Sequence, residues 1–223
     1  MKKSRISMIG LSAVTLLLLA GCGAKTFTYN VTLNTQDADK RSELIKAVRR
    51  VVERRLQAIG EEPSIDVRNE QGQIIVDVDV EDPIVGETLT DQLQEPFTMR
   101  IMTQVADGKG DVTIEGQGSF KESGITEKHL LWVTAGPDTN PEKGRVLLEF
   151  SEDGRKLMGQ MFRQNSGKYI GLFVRNRLVS KLLVESSEVK ETILITDIPS
   201  PILAEIFADD LNVGLYVIFT PGT

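Results

Sequence analysis

The sequence predicts an α+β fold in two parts, and three observations lead to this prediction. The apolar residues first alternate, over 27–33, and then follow a helical period over 39–59. The elements up to residue 106 occur in the order strand, helix, two strands, helix and strand. A glycine-rich stretch at 107–124 follows, and a second mixed series of strands and helices begins after it.

Residues 27–106 are predicted to form the first part. The helical stripe over 39–59 is apolar on one face, and Gly60 suits the position just after a helix. Alternating apolar residues and turn signals predict the other elements, which are strands at 27–33, 64–68, 73–80 and 97–104 and a weaker helix at 83–93. The order β-α-β-β-α-β is that of the ferredoxin-like, or split-βαβ, fold.

The stretch 107–124 contains five glycines, at 108, 110, 116, 118 and 124. We interpret it as a connection between the two parts, partly hairpin and partly linker. Glycine lowers the cost of large backbone rotations, so this connection is also a candidate hinge. Glycines that serve tight turns in a rigid hairpin are the alternative interpretation.

Residues 125–223 are predicted to form the second part, which ends in a closing strand. Ser151 and Ser200 are suitable N-caps for two helices, and Pro201 occupies a favourable first helical position. The second helix is expected to end near Leu211, before Gly214. Strands are predicted at 129–135, 145–150, 169–175, 178–185, 192–196 and 215–219.

The N-terminus predicts a lipoprotein signal peptide over residues 1–21. Three basic residues precede an uncharged, mostly apolar stretch at 6–20, and the small residues Ala20 and Gly21 precede Cys22. This is the lipobox pattern of bacterial lipoproteins, in which the cysteine thiol receives a diacylglyceryl group and the freed amine usually receives a fatty acid such as palmitate. Cys22 is therefore the predicted lipid-attachment residue, and 22–26 a lipidated tether. An ordinary signal peptide with a chance cysteine is the alternative.

This interpretation places the protein at the cell membrane, lipid-anchored on its extracytoplasmic face. Cys22 is the only cysteine in the chain, so no disulfide can use it. Two or three acyl chains anchor a protein stably, whereas one is marginal. No second apolar run approaches bilayer length, so no later segment is expected to cross the membrane.

The charge of the chain argues against nucleic acid as a partner. The signal segment holds three of the 26 basic residues and none of the 32 acidic ones, so its removal would change the net charge from −6 to −9. An acidic protein repels the phosphate backbone of nucleic acids. A hydrophobic content of 40% is enough to form a core, so the mature chain is expected to fold.

No pattern in the sequence indicates an enzyme, a cofactor or a metal ion. The single histidine, His129, has no nucleophile motif near it, and we expect it to be a surface or edge residue. The acids at 77, 79, 81 and 82 resemble a calcium loop but lack the required glycine, and their alternation with valines indicates the solvated face of a strand. Residues 166–168, Ser-Gly-Lys, lack the other residues of a phosphate-binding loop.

Residues 42–214 resemble the first periplasmic domain of SecD and SecDF, the accessory subunits of bacterial protein export. The first likeness is a helix followed by glycine and a Glu-Pro pair. The second is a strand followed by Phe, a small polar residue and glycine. The third is a Gly-Lys pair followed by an apolar hairpin. The stretches that carry these features are 52–63 with 74–78, 147–154, 167–180 and 211–214.

The resemblance implies a ferredoxin-like base, here 27–106, and a head subdomain, here 125–223, joined by a hinge. It also implies that the domain holds a polypeptide outside the membrane. The expected function is therefore a non-enzymatic, membrane-anchored module that binds polypeptide and assists protein export or folding. A structural or regulatory envelope lipoprotein with one fixed protein partner is the alternative.

Overall fold

A computed structural model describes residues 24–185 and 192–222. This part of the chain forms twelve strands in three antiparallel sheets, together with four helices. The strands are β1 (Lys25–Leu33), β2 (Ser64–Glu70), β3 (Gln73–Val80), β4 (Met99–Val105), β5 (Val112–Ile114), β6 (Gly118–Thr126), β7 (Leu130–Pro137), β8 (Gly144–Phe150), β9 (Tyr169–Val174), β10 (Arg177–Leu183), β11 (Thr192–Ile198) and β12 (Val217–Pro221). The helices are α1 (Ala38–Ile59), α2 (Pro83–Gln94), α3 (Glu152–Asn165) and α4 (Pro201–Tyr216). The α+β class predicted from the sequence is confirmed.

The first sheet has the strand order β12-β1-β3-β2 and packs against α1 and α2. Helix α1 begins where Asp37 accepts hydrogen bonds from the backbone N–H groups of Asp39 and Lys40. It ends at Gly60, whose φ of 94° is left-handed and favours glycine. The apolar stripe of α1 and the inward residues of β3 form one core, which includes Leu44, Val48, Val52, Leu56, Val76 and Val78.

The strand predicted at 97–104 does not belong to the first sheet, so its predicted placement was wrong. Strand β4 pairs with β6 and β9, and β12 occupies the fourth position of the first sheet, beside β1. Both faces of β4 are covered, because Met99 and Ile101 contact one core while Met102 contacts another. A central strand with two buried faces suits the middle of the second sheet better than an edge of the first.

The second sheet has the order β10-β9-β4-β6-β5, and the third has the order β11-β8-β7. Residues from both sheets, from α3 and from α4 form a shared core. Its members include Ile101, Ile125, Leu148, Phe150, Met158, Leu172 and Leu211. Ser151 and Ser200 cap α3 and α4 through hydrogen bonds from the N–H groups of Gly154 and Leu203, as the sequence predicted.

The glycine-rich stretch lies within the second sheet rather than between two parts of the molecule. Strands β5 and β6 form a hairpin there, and β6 pairs along β4. Gly116 and Gly118, at the turn of this hairpin, have positive φ values of 71° and 108°. The alternative interpretation of these glycines, as turn residues of a hairpin, fits this arrangement, and 107–124 is not a linker.

Helix α4 continues past the end predicted for it. Gly214 lies inside the helix, where the ring of Phe97 packs so closely that an added Cβ would lie 2.2 Å from its Cδ2 atom. This glycine therefore permits a close approach between two elements and does not end the helix. The backbone then enters β12, which returns the chain to the first sheet.

Polar contacts fix α4 to α1. Arg50 donates two hydrogen bonds to the carboxylate of Asp209, at 2.8 and 2.7 Å, and these bonds raise the pKa of Arg50. Arg54 donates to Asp209 and to Asp210, both at 3.2 Å. Asp209 is buried, and a buried carboxylate needs such partners.

Candidate functional site

The candidate site is a groove between two edge strands, β10 of the second sheet and β11 of the third. The groove has a volume of about 680 Å³. It is lined by Phe162, Ile170, Leu182, Leu183, Glu185, Thr192, Ile193, Leu194 and Thr196. We call it the edge groove. Residues 186–191, which connect the two strands in sequence, lie outside the described residues.

The floor of the edge groove belongs to the large core. Phe162, Ile170 and Ile193 are buried there, in contact with residues of both sheets and of α3. The rim is formed by Leu183 and Leu194, whose surfaces are 48% and 49% exposed. Among the described residues, Glu185 is the single charged residue in the lining. An apolar floor with exposed leucines at its rim favours burial of apolar side chains from another molecule.

The backbone at the rim can form further hydrogen bonds. The N–H group of Val184 donates to the carbonyl oxygen of Lys168 at 2.9 Å, so the backbone N–H of Val184 points toward β9. Successive residues of an antiparallel strand direct their backbone hydrogen-bonding groups to opposite sides. The N–H and C=O groups of Leu183 and Lys181 therefore point away from β9. Strand β10 pairs only with β9, and β11 pairs only with β8, within the described chain.

The apolar surface continues from the groove onto the outer face of the second sheet. Tyr169 lies opposite Leu183 in the β9–β10 pair and is 42% exposed. The Nζ atom of Lys181 lies 4.6 Å from the centroid of the Tyr169 ring, which is the geometry of a cation–π contact. Val179, on the same hairpin, is also exposed.

Two of the predicted strands carry a partial sequence signal for this site. The predicted strands at 178–185 and 192–196 each carry apolar residues on both faces, as with Leu182 beside Leu183 and Ile193 beside Leu194. A strand with one solvated face shows a cleaner alternation. Periodicity alone cannot tell whether the second apolar face packs against the protein's own core or remains exposed, so the groove residues were missed.

Cys22, the predicted lipid-attachment residue, lies outside the described residues, as does the predicted signal segment at 1–21. Lipid attachment at Cys22 therefore stays a prediction. In the part of the chain from 24 to 185 and from 192 to 222, none of the helices has both the length and the apolar character needed to cross a bilayer.

His129 has a local structural role. It ends a short 3₁₀ turn before β7, so the predicted strand begins one residue later than expected. Its Nδ1 atom accepts a hydrogen bond from the backbone N–H of Thr126 at 3.1 Å. Its carbonyl oxygen accepts from the N–H of Ser151 at 2.8 Å, which joins the turn to the start of α3.

The acids at the end of β3 are held by separate partners. Asp77 and Asp79 accept hydrogen bonds from Thr28 and Thr26 on β1, at 2.7 and 2.6 Å. Asp82 caps α2 through the N–H of Ile84. No group of three or more His, Cys, Asp or Glu residues suited to a metal ion occurs among the described residues.

Residues 166–168 close a helix instead of opening one. Ser166 is the C-cap of α3, and Gly167 follows with a φ of 77°. A phosphate-binding loop of the kind considered from the sequence directs its N–H groups from the start of a helix. The geometry at 166–168 is therefore that of a turn into β9.

Three structures of SecDF are similar to this chain, each with 17% sequence identity. SecDF from Thermus thermophilus, described as a translocon-associated membrane protein, matches 89% of this chain with a TM-score of 0.53. SecDF in a super-membrane-facing form matches 90% with a TM-score of 0.49, and a structure described as that of a membrane component that enhances protein export matches 88% with a TM-score of 0.47.

The match to the Thermus structure shows a shared fold, so the predicted resemblance to a SecD-like periplasmic domain is confirmed at the level of the fold. This chain spans 30% of the length of that SecDF chain and 98% of the length of the shortest of the three. Comparison with protein-family models gave no match, and neither did comparison with curated protein sequences.

Proposed function

We propose that this protein is a non-enzymatic, membrane-anchored module that binds extended polypeptide on the extracytoplasmic side and assists protein export. The observation that carries the proposal is the edge groove, where two strand edges flank an apolar floor. The fold shared with SecDF, a translocon-associated membrane protein, supports the link to export. The lipobox ending at Cys22 supports the anchor.

The groove suits an extended polypeptide for two physical reasons. An unpaired strand edge can hydrogen-bond to the main chain of any sequence, because every residue except proline offers the same N–H and C=O groups. Leu183 and Leu194 can at the same time bury alternate apolar side chains of the added strand. Binding by these two means requires little sequence specificity, which suits a protein that handles many unfolded chains.

The proposal is tested by measuring the binding of a fluorescently labelled, permanently unfolded polypeptide to the full-length chain in detergent. Replacing both rim leucines with aspartate, as Leu183→Asp with Leu194→Asp, should weaken binding about tenfold or more, because apolar contact is lost and charge is introduced. Ile84→Asp with Ile202→Asp is the matched control, since both isoleucines are 68% exposed, lie on helices and do not line the groove.

Equal losses in the two double variants, or no loss in either, would contradict groove binding. Several unrelated unfolded polypeptides should compete for the same site. Failure of all of them to bind, together with capture of one folded envelope protein, would instead favour the module with one fixed partner. The role in export is tested separately, by pulse-chase measurement of secreted proteins in cells that lack the chain, where slower export is expected.

A further inference from the structure

A second cavity, at the turn end of the β9–β10 hairpin, concentrates positive charge in this acidic protein. It has a volume of about 680 Å³ and lies between α1, the end of α2, the β9–β10 turn and α4. Four arginines line it, namely Arg54, Arg55, Arg175 and Arg177, against the two acids Glu95 and Asp210. We call it the arginine cleft.

The charges in the arginine cleft are not balanced. Arg54 is paired with Asp209 and Asp210, as described above. Arg55 donates to the carbonyl oxygen of Gln92 at 2.5 Å, and no carboxylate of the described residues lies within ion-pair distance of it. Its burial, together with the charge of Arg175, lowers the pKa of Arg55 to about 10. Positive charge is therefore crowded at this place.

Arg175 adds an unsatisfied donor to the same cleft. Its Nε atom is buried and makes no hydrogen bond to any described residue. Oε2 of Glu95 lies 3.7 Å from this Nε atom, which is close enough for an ion pair but too far for a hydrogen bond. Most buried polar groups have a hydrogen-bond partner, so this Nε atom is a donor that an anion in the cleft can use.

The backbone presents Arg175 to the cleft in a fixed and unusual way. Arg175 and Asn176 form the two-residue turn between β9 and β10 and have left-handed φ values of 46° and 62°. Such turns favour Asn, Asp and Gly, so an arginine here is atypical. The turn is held against β4, because the N–H of Arg175 donates to the carbonyl oxygen of Thr98 at 2.9 Å and Arg100 donates to the side chain of Asn176 at 2.7 Å.

We propose that the arginine cleft binds a phosphate-class oxyanion, with Arg55 and Arg175 as the main ligands and Arg177 at the exposed entrance. Planar guanidinium groups donate parallel hydrogen bonds that match the oxygens of phosphate. Such an anion would offset the excess positive charge and supply an acceptor for the Nε atom of Arg175. The same chemistry is offered by free phosphate and by the head group of an anionic phospholipid.

The test uses the full-length chain in detergent and measures the rise in thermal stability with each probe. One arm adds inorganic phosphate with chloride as the reference, and the other adds short-chain phosphatidylglycerol below its micelle concentration with phosphatidylcholine as the reference. We expect a concentration-dependent rise in at least one arm. Arg55→Gln with Arg175→Gln should weaken the apparent affinity about tenfold or more, since charge-assisted bonds are lost.

Arg163→Gln, at an exposed site on α3, is the matched control and should leave the affinity unchanged. If the double variant does not fold, Arg177→Gln at the exposed entrance should still weaken binding. A response to phosphate alone supports the site with free phosphate as the source, and a response to phosphatidylglycerol alone supports it with a lipid head group. No response in either arm, or a response that the cleft variants do not alter, would overturn the proposal.

Discussion

The third sheet has two edge strands, β7 and β11, which differ in how far other residues cover them. At β7, the side-chain amide of Asn212 accepts a hydrogen bond from the N–H of Val133 at 3.0 Å and donates to the carbonyl oxygen of the same residue at 2.8 Å. Asn212 is buried on α4, which packs along this edge. At β11, the neighbouring surface is the edge groove, with Leu194 half exposed.

This difference separates an edge that stabilises the fold from one that is available to another molecule. An unpaired strand edge is a template for other strands, so proteins usually cover or charge such edges. Asn212 covers β7 by forming, through its side-chain amide, the two hydrogen bonds that a neighbouring strand would otherwise form with Val133. The edge β2 of the first sheet is protected differently, because Asp66, Arg68 and Glu70 place alternating charges on it. Strand β10 carries the charged residues Arg177 and Lys181, but no element of the described residues covers either the β10 or the β11 edge.

The largest effect is expected from uncovering the protected edge. Asn212→Ala should lower the free energy of unfolding by about 2 kcal/mol, because it leaves the N–H and C=O groups of Val133 buried without partners. The measurement is chemical denaturation. Asn165→Ala is the control, since its amide makes one partly buried bond to Met161 at the end of α3 and should cost roughly 0.5 kcal/mol. Equal costs would show that β7 is not protected by this residue.

A smaller effect is expected from blocking the available edge. Leu183→Pro removes an N–H group that faces away from β9, so the fold should tolerate it while the affinity for an unfolded polypeptide falls about fivefold beyond that of Leu183→Ala. Leu182→Pro should instead destabilise the fold, since the backbone N–H of Leu182 points toward β9 and proline removes it. Fluorescence anisotropy and thermal melting distinguish the two outcomes. If Leu183→Pro bound as well as Leu183→Ala, main-chain pairing at β10 would not contribute.

The opposite edge of the second sheet allows a test of the glycine-rich hairpin. Gly116→Ala should cost about 1 kcal/mol, because residue 116 has a φ of 71° that alanine disfavours although no atom lies within 4 Å of an added Cβ. Binding of an unfolded polypeptide should not change. A change in affinity with little change in stability would support the hinge inferred from the sequence over the rigid hairpin.

The elements of this fold could be predicted from the sequence, but the neighbours of several strands could not. The periodicity of apolar residues and N-caps such as Ser151 and Ser200 are local signals. They were enough to locate most helices and strands. Sheet membership depends on contacts between distant residues, as between β1 and β12, where Val31 lies opposite Phe219. The sequence carries no local sign that β12, and not β4, completes the first sheet.

The candidate site was predictable in kind but not in place. The resemblance implies a polypeptide-binding module, yet the sequence does not show which strand edges are covered. The amide of Asn212 reaches Val133 across 79 positions of the chain, so its covering role is visible only in three dimensions. The arginine cleft likewise collects Arg55 from α1 and Arg175 from a turn between two strands. These residues are far apart in sequence and share no motif.

The smallest effect on the described fold is expected at Cys22, because lipid attachment concerns the N-terminus. Cys22→Ser should leave the thermal stability unchanged while abolishing the acyl mass and the membrane association of the wild-type protein. Intact-mass spectrometry of protein from membranes provides the measurement. An unmodified N-terminus in the wild-type protein would remove the anchor from the proposed function.

Amide hydrogen exchange tests most directly whether unfolded polypeptide adds to the uncovered edges beside the groove. Exchange is measured residue by residue in the full-length chain, with and without a saturating unfolded polypeptide. We predict slower exchange at Lys181 and Leu183 of β10 and within 192–196 of β11, while β2 and β7 remain unchanged. Unchanged exchange at β10 and β11 during saturated binding, or protection confined to the first sheet, would contradict the account.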